Sequence, residues 1–426
     1  MLNLRTIYSI ALWLLLPYIF IRLAWRARKQ PEYLKHIDER FGCYPQRSEN
    51  QNSIQPVIWL HAVSVGETRA TQSLITRLQN TYPQHRILLT HTTPTGRATS
   101  EQLYGESVMR MYLPYDYPFA VKRFLHHFRP QLGMLIETEI WVNLIHACHE
   151  SDIPLLLLNA RMSKKSAKGY ANFARLTRAA LGELSSVATQ TTNDATRLTD
   201  LGAKNVSVIG NLKFDIEVPP KMLQLGKQLR KRFGADRKVF LAASTRDGEE
   251  ALLFDALQKV NDPMLLVVIV PRHPQRFNEV AQLLEQRGIT YQRRSTDQLV
   301  TKETSVVLGD SMGEMFAYYA VADIAFIGGS LLPYGGQNLI ESCAVGTPVL
   351  IGPHTYNFSE ATQLALNAGA VLQINDGKEL IDSIQNLLRN PDILSEMRQQ
   401  CNTFVKSNRG ATDRAIEIIR SYLGKK

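Results

Sequence analysis

The stretch LHAVSVGET, Leu60 to Thr68, runs as an apolar strand into a glycine and then a carboxylate. A glutamate beside a helix start favours its ionised form. An ionised glutamate can take a proton from a substrate hydroxyl within hydrogen-bond reach, which makes Glu67 a candidate general base. The plainer alternative is a carboxylate that serves only its own helix. Similar polar clusters recur along the chain. HTTPTG, His91 to Gly96, offers hydroxyls and a Pro-Thr-Gly turn, and IETEIW carries Glu137 and Glu139, which share a face in a strand and diverge in a turn. Lys213 in GNLKFD could neutralise a departing phosphate. Arg272 in VPRHP has donors that match two phosphate oxygens at once.

GDSMGE, Gly309 to Glu314, reads as a turn that holds a phosphate or nucleotide. GGSLLPYGGQNLIE sets Asn338 and Glu341 at another helix start, where a phosphate can bind and a glutamate can accept from a ribose. Neither GxGxxG nor GxxxxGK[ST] occurs, which disfavours a dinucleotide enzyme or a P-loop ATPase. His146 and His149 can share a helix face, but no third ligand accompanies them, so no metal site is expected.

These clusters need strands to present them. VIWLHAV, RILLTHT, LGMLIET, PLLLLNA, SSVAT and NVSVIG read as strands separated by helices or turns. Continuous apolar strands of this kind indicate a parallel sheet covered on both faces. The pattern breaks at NLKFDIEVPPK, because Pro219-Pro220 continues neither a helix nor a central strand. A second series follows: KVFLAAST, MLLVVIVPRHP, TSVVLGDS, IAFIGGS, TPVLIGP and GAVLQI. The expected class is therefore α/β, with two Rossmann-like doubly wound domains facing a cleft that takes the ligands. The expected divisions are 1–30, 31–216 and 217–426, with the last helix, TDRAIEIIRSYL, free to pack back on the first domain.

At 426 residues, 44% hydrophobic and 21% charged, the chain is a folded protein large enough for two cores. Its net charge of +10 favours an anionic partner. Four scattered cysteines without a CxxC pair suit a reducing compartment. Between Arg5 and Arg22 lies an uncharged apolar run, TIYSIALWLLLPYIFI, kinked at Pro17 and followed by Arg22, Arg26, Arg28 and Lys29. It reads as an uncleaved anchor with the rest of the chain in the cytoplasm, dipping into the membrane more than crossing it. A cleaved signal peptide and a buried core helix are the alternatives. The segment from Arg161 to Arg178 interleaves six basic residues with Met162, Tyr170, Phe173 and Leu176, and no acid follows before Glu183. Such a surface suits anionic lipid or phosphate. No nucleic-acid module is apparent, and no nucleic-acid partner is expected.

Taken in order, SVGET, PTG, IETEIWVN, NARMS, GNLKFD, PRHPQRF, GDSMGEM, AFIGGSL and GPHTYNF closely resemble the 3-deoxy-D-manno-octulosonic acid (Kdo) transferases of lipopolysaccharide-core synthesis. The resemblance covers nearly the whole chain, including the N-terminal apolar run and its basic flank. It implies a GT-B fold and an inverting transferase that needs neither metal nor cofactor. Such an enzyme would move Kdo from CMP-Kdo to a lipid A precursor, lipid IVA, at the inner membrane. The family's base falls on Glu67, and its transition-state-stabilising acid and lysine fall on Glu137 and Lys213. Its CMP-contacting positions fall on Pro271 and Arg272, on Met312, Gly313 and Glu314, and on Asn338, Leu339, Ile340 and Glu341. Where the family commonly reads GGHNPLE, this chain reads GGQNLIE, so Gln337 and Leu339 replace a histidine and a proline. Two other functions share parts of this pattern. A GT-B-like sugar-nucleotide epimerase would need neither the anchor nor the basic stretch. A non-catalytic membrane-associated nucleotide- or lipid-binding protein would tolerate loss of Glu67 and Lys213.

Overall fold

The computed structural model describes residues 4–28, 30–45, 55–260 and 262–424; Lys29 of the basic flank lies outside them. The chain forms two units, one of residues 1–215 and 409–426, the other of residues 216–408. It leaves unit 1 one residue before the boundary expected from the sequence. It returns at residue 409, so the final segment belongs to unit 1.

Unit 1 contains strands β1 (Val57–His61), β2 (Arg86–His91), β3 (Met109–Tyr112), β4 (Pro130–Ile136), β5 (Leu155–Ala160), β6 (Ser186–Thr189) and β7 (Val206–Val208). They form one parallel sheet in the order β3-β2-β1-β4-β5-β6-β7. β1 shows why its run is continuously apolar. Val57 and Trp59 enter the core on one face, and Ile58 and Leu60 enter the core on the other. Ala411, Ala415, Ile416 and Ile419 of the last helix, Ala411–Leu423, belong to the second of these cores. Asp215 ties down the start of that helix by accepting from Gly410 N at 2.7 Å.

Unit 2 contains β8 (Lys238–Thr245), β9 (Leu265–Pro271), β10 (Tyr291–Arg293), β11 (Val306–Leu308), β12 (Ile324–Ile327), β13 (Val349–Ile351) and β14 (Val371–Gln373). Its sheet is again parallel, in the order β10-β11-β9-β8-β12-β13-β14. In each sheet the strand order reverses once around the first strand, at β1/β4 and at β8/β12. Open α/β sheets bind ligands outside the carboxyl ends at such points.

β3 and β10 are absent from the strands expected from sequence. Both are sheet edges, and apart from the buried Tyr112 their residues stay partly exposed, so neither carries the continuous apolar run of an inner strand. The β3 side is covered by the segment around Glu39 and Arg40, both buried. Glu39 accepts from Tyr112 N at 2.7 Å and pairs with Arg97 at 2.6 Å, while the Arg40 guanidinium lies 4.0 Å over the Tyr112 ring. A covered edge offers no free ladder to another chain.

The N-terminal apolar run forms two helices, Leu4–Leu14 and Leu16–Ala27, bent by 47°. Among the described residues no single helix is long and apolar enough to cross a membrane, although this pair together has the length and composition of a broken span. The first helix docks on unit 1. Tyr8 donates to Asp116 at 3.0 Å, Ser9 to Asn143 at 3.2 Å, and Trp13 stacks 5.6 Å from Phe119. Leu14, Tyr18, Ile21 and Trp25 remain exposed.

Candidate active site

β1 delivers the chain to Ser64, whose side chain caps the short helix Val65–Ala70 by accepting from Glu67 N. Ser64 Oγ in turn donates to Glu67 Oε1 at 2.8 Å, and Val63 N donates to Oε2 at 2.7 Å. Glu67 thus occupies the third position of a capping box, where a glutamate reaches back over the helix start. The helix-serving reading is locally correct, and it fixes the carboxylate in one orientation. The surroundings give that fixed group a second property. Burial pushes its pKa up and the nearby Glu137 adds to the rise, while Ser64, Val63 and Lys213 pull the other way. The net shift is upward, toward the range of a working base.

Glu137 follows β4 across the switch point from Glu67. Its φ of 65° lies in the left-handed region, which side chains other than glycine, asparagine and aspartate seldom adopt. Glu139 follows in the same turn, and the two carboxylates take different partners. Glu137 Oε1 lies 2.9 Å from Lys213 Nζ, with both side chains about three-quarters buried (23% and 22% exposed). Glu139 accepts from Trp141 Nε1 at 2.6 Å. Burial pushes its pKa up to about 7, with Glu67 and Glu137 adding to the shift.

Lys213 sits on a one-turn helix, Leu212–Phe214, between two buried side chains. Its position is set by amides. Asn211 Oδ1 accepts from Lys213 N at 3.0 Å, and Asn211 Nδ2 donates to Gln190 Oε1 at 3.0 Å. Gln190 donates to Asn159 O at 2.9 Å, and Asn159 Oδ1 accepts from Leu212 N at 3.0 Å. Asn159 is wholly buried at the end of β5, with a φ of 54°. This network connects the ends of β5 and β6 to the lysine.

The expected Pro-Thr-Gly turn is instead the first turn of a helix, Pro94–Tyr104. Thr93 caps it and donates its hydroxyl to Val63 O at 2.8 Å, bracing the peptide that holds Glu67. The basic stretch forms two helices, Lys164–Ala171 and Ala174–Gly182, with Phe173 exposed between them. His146 pairs with Glu183 at 3.0 Å, and among the described residues no group of three His, Cys, Asp or Glu could hold a metal ion.

In unit 2, Pro271 closes β9 and Arg272 N donates to Thr245 O, joining the ends of β9 and β8. After β11, Glu314 accepts from Ser311 Oγ at 2.7 Å and from Arg294 at 3.2 Å. Met312 is exposed, and Gly313 has a φ of 81° with open space where a side chain would stand. Asn338 caps its turn by accepting from Ile340 N at 3.0 Å and donates to Glu341 at 3.2 Å. Leu339 and Ile340 are wholly buried, so they can offer a ligand only their backbone. The structure therefore joins Glu67, Glu137 and Lys213 in unit 1 and spreads the other expected residues over the strand ends of unit 2.

The sequence profile of the 3-deoxy-D-manno-octulosonic-acid transferase (kdotransferase) family matches residues 35–216. A 3-deoxy-D-manno-octulosonic acid transferase from Bordetella pertussis is 39% identical over 99% of this chain and 100% of its own length. The enzyme of that name from Haemophilus influenzae is 35% identical over 98% of this chain and 99% of its own. The chain belongs to the Kdo transferase family. A glycosyltransferase from Rickettsia africae, 14% identical, superposes with a TM-score of 0.57 over 87% of this chain and 100% of its own, placing the Kdo transferase chain in a GT-B-like fold.

The structure adds positions that the strand-end motifs do not single out. Asn159 and Asn211 were visible only as letters in NARMS and GNLKFD, since a buried amide network leaves no periodic signature. Glu249, wholly buried, accepts from Arg246 N at 2.9 Å, Gly329 N at 2.6 Å and Leu331 N at 3.1 Å, tying the loop after β8 to the loop after β12. A signal for this pair was present: the apolar run KVFLAAS ends in TRDGEE, a polar cluster of the same kind as SVGET.

Proposed function

We propose that the chain transfers Kdo from CMP-Kdo to the lipid A precursor lipid IVA, releasing CMP, as a step of lipopolysaccharide inner-core synthesis. One observation carries the chemical part of the reading. Glu67 is fixed by Ser64 and Val63 while burial and Glu137 raise its proton affinity. On this reading the acceptor hydroxyl gives its proton to Glu67 as its oxygen bonds to the anomeric carbon of Kdo. The bond from that carbon to the phosphate oxygen breaks, and its electron pair leaves with CMP. A base opposite the leaving group inverts the anomeric centre, by the geometry through which inverting glycosidases activate water. The proton and the electron pair are both accounted for, so the step needs no cofactor.

Glu137 supplies negative charge toward the cationic character of the sugar, and Lys213 supplies positive charge toward the departing phosphate. Their 2.9 Å pairing keeps both charges in place before the substrate arrives. Unit 2 takes the donor, with Arg272 on the phosphate and the 312–314 and 338–341 turns on the nucleotide. Attachment is to the inner membrane, with the catalytic units on the cytoplasmic side. The exposed apolar face of the bent helix pair, the basic residues after it and the basic helices at 164–182 support this. Flotation with anionic vesicles, compared with neutral ones, tests the attachment.

The deciding experiment incubates membrane-solubilised protein with freshly made CMP-Kdo and tetraacylated lipid A precursor, without added metal, and reads the products by mass. Kdo mass increments with matching CMP release are expected. An unchanged acceptor in a preparation shown to be folded overturns the reading.

A further inference from the structure

Unit 2 carries at its own switch point a cation that no part of the proposed mechanism uses. Arg246 leaves the end of β8 and faces the glycine pair that follows β12. A side chain on Gly329 would stand 3.3 Å from Arg246 Cγ and 3.4 Å from Gln337 Nε2, so these two residues flank the same point. The Arg246 guanidinium lies 4.8 Å over the Tyr334 ring and donates to His273 Nε2 at 2.7 Å. A histidine that accepts from a guanidinium is unprotonated on that nitrogen. Burial and the neighbouring Arg246, Arg272 and Arg276 lower the pKa of His273 in keeping with this.

Three arginines converge here, and they are not equivalent. Arg276 is committed to Asp247, to Glu250 at 3.0 Å and to Glu279 at 4.0 Å. Arg272 is a CMP-contacting position by the family resemblance, and the proposed function already places it on the phosphate. Among the described residues no carboxylate lies within ion-pair distance of Arg246. Its charge is nevertheless held firmly. Glu249 fixes its backbone N–H, and Tyr334 both floors the guanidinium and donates to Asp247 O at 3.2 Å. A partly exposed arginine with an aromatic floor and a fixed backbone, whose acidic neighbour Asp247 is already paired with Arg276, is arranged to receive a planar anion by two parallel hydrogen bonds.

We propose that Arg246 binds the carboxylate of the donor's acidic sugar, as a subsite separate from the one that holds the nucleotide phosphate. The assignment rests on the donor reading above, in which the substrate brings two anions, a phosphodiester and a sugar carboxylate. Arg272 meets the first and Arg246 the second. Gln337 stands beside Arg246 where the family commonly has a histidine, so in this chain the arginine is the cation on that side of the loop.

The test compares two ligands that differ by the sugar. For the wild type, Arg246→Gln and Arg246→Lys, KM for CMP-Kdo and the inhibition constant of CMP are measured, with thermal melting to confirm folding. Arg246→Gln should raise KM for CMP-Kdo about 10- to 100-fold, the range of a lost charge-assisted pair, and leave CMP inhibition within about twofold. Arg246→Lys should recover part of the loss. A parallel weakening of CMP would place Arg246 on the phosphate and overturn the assignment, as would an unchanged KM. Should CMP not inhibit the wild type at all, the donor reading itself fails and this assignment falls with it. A variant that fails to melt cooperatively is replaced by a wild-type comparison between CMP-Kdo and a CMP-linked neutral sugar. Equal affinity for those two overturns the subsite.

Discussion

Unit 1 ends β1 and β4 with Glu67 and Glu137, whereas unit 2 ends β8 and β12 with Arg246 and the pair Gly328-Gly329. Both units reverse strand order at these places, and both use a buried or half-buried carboxylate to organise the loop. In unit 1 the organised group is itself the one proposed to react: the capping contacts of Glu67 orient the carboxylate that, in the proposed reaction, takes the proton. In unit 2 the organising carboxylate, Glu249, spends both oxygens on backbone N–H groups and leaves the exposed face to cations and glycines. Gly328 shows how close that approach is, since a side chain there would stand 2.4 Å from Ser244 O. One topology thus presents a fixed carboxylate in one unit and a cluster of arginines and glycines in the other, and the difference lies in a few residues after the strands.

The comparison breaks most sharply at Glu67. Glu67→Gln keeps an oxygen for the Val63 N–H, so the unit should fold, while kcat falls by about 10³-fold with the donor KM nearly unchanged. An equal rise in KM would show that the two units do not divide the work in this way. A raised carboxyl pKa also sets the acid side of the rate profile. The base is inactive when protonated, so kcat/KM should rise with pH through a midpoint above the ordinary glutamate value of about 4.3, and Glu67→Gln should abolish that limb.

The next effect is on stability and concerns unit 1 alone. Ile419→Ala empties a wholly buried position between the last helix and the sheet and should cost about 2–4 kcal/mol in denaturant titrations. A loss under 1 kcal/mol would mean that the helix is not part of that core.

Asp116 gives a pH test of similar size. Burial holds its pKa up at about 6, against the pull of hydrogen bonds from Asn143 N, Leu144 N and Tyr8. A raised value favours the protonated folded form. That contribution is complete below about pH 4 and is lost as pH rises through about 6, on the order of 3 kcal/mol for a shift of this size. Unfolding in denaturant titrations should then be easier at pH 7.5 than at pH 5. Asp116→Asn should flatten that dependence. Asn211→Ala is the mildest change. Losing the bond to Lys213 N should lower kcat several-fold, on the scale of about 1 kcal/mol, and leave donor KM alone.

How far these features could be read in the letters depends on the kind of physics behind each. Inner strands were legible because burial on both faces forces runs such as VIWLH and LLVVIV. The edge strands MRMY and YQR were not, because a half-exposed edge imposes no such run. Glu67, Glu137 and Lys213 were marked by strand ends and by family resemblance, and the structure brings them together. Asn159, Gln190 and Asn211 escaped because their partnership spans 52 positions of sequence and depends on a left-handed asparagine. Arg246 escaped for a different reason: its cluster was present, but an Arg-Asp-Gly-Glu-Glu run is easily taken for a solvated turn. The helix-serving and catalytic roles of Glu67 compete in the sequence; the geometry shows the first and leaves the carboxylate fixed beside Glu137 and Lys213, where the second is compatible with it.

The last helix has a consequence for the order in which the protein is made. Residues 216–408 hold everything unit 2 needs, so that unit can fold as soon as it clears the ribosome. Unit 1, although translated first, lacks one side of a core until Ala411–Leu423 has emerged. Its sheet must wait through the synthesis of the whole second unit with Leu60, Leu74 and Leu89 incompletely covered. The half of the enzyme that is translated first is the half completed last, and a ribosome that stalls shortly before residue 411 leaves a folded unit 2 attached to an unfinished unit 1.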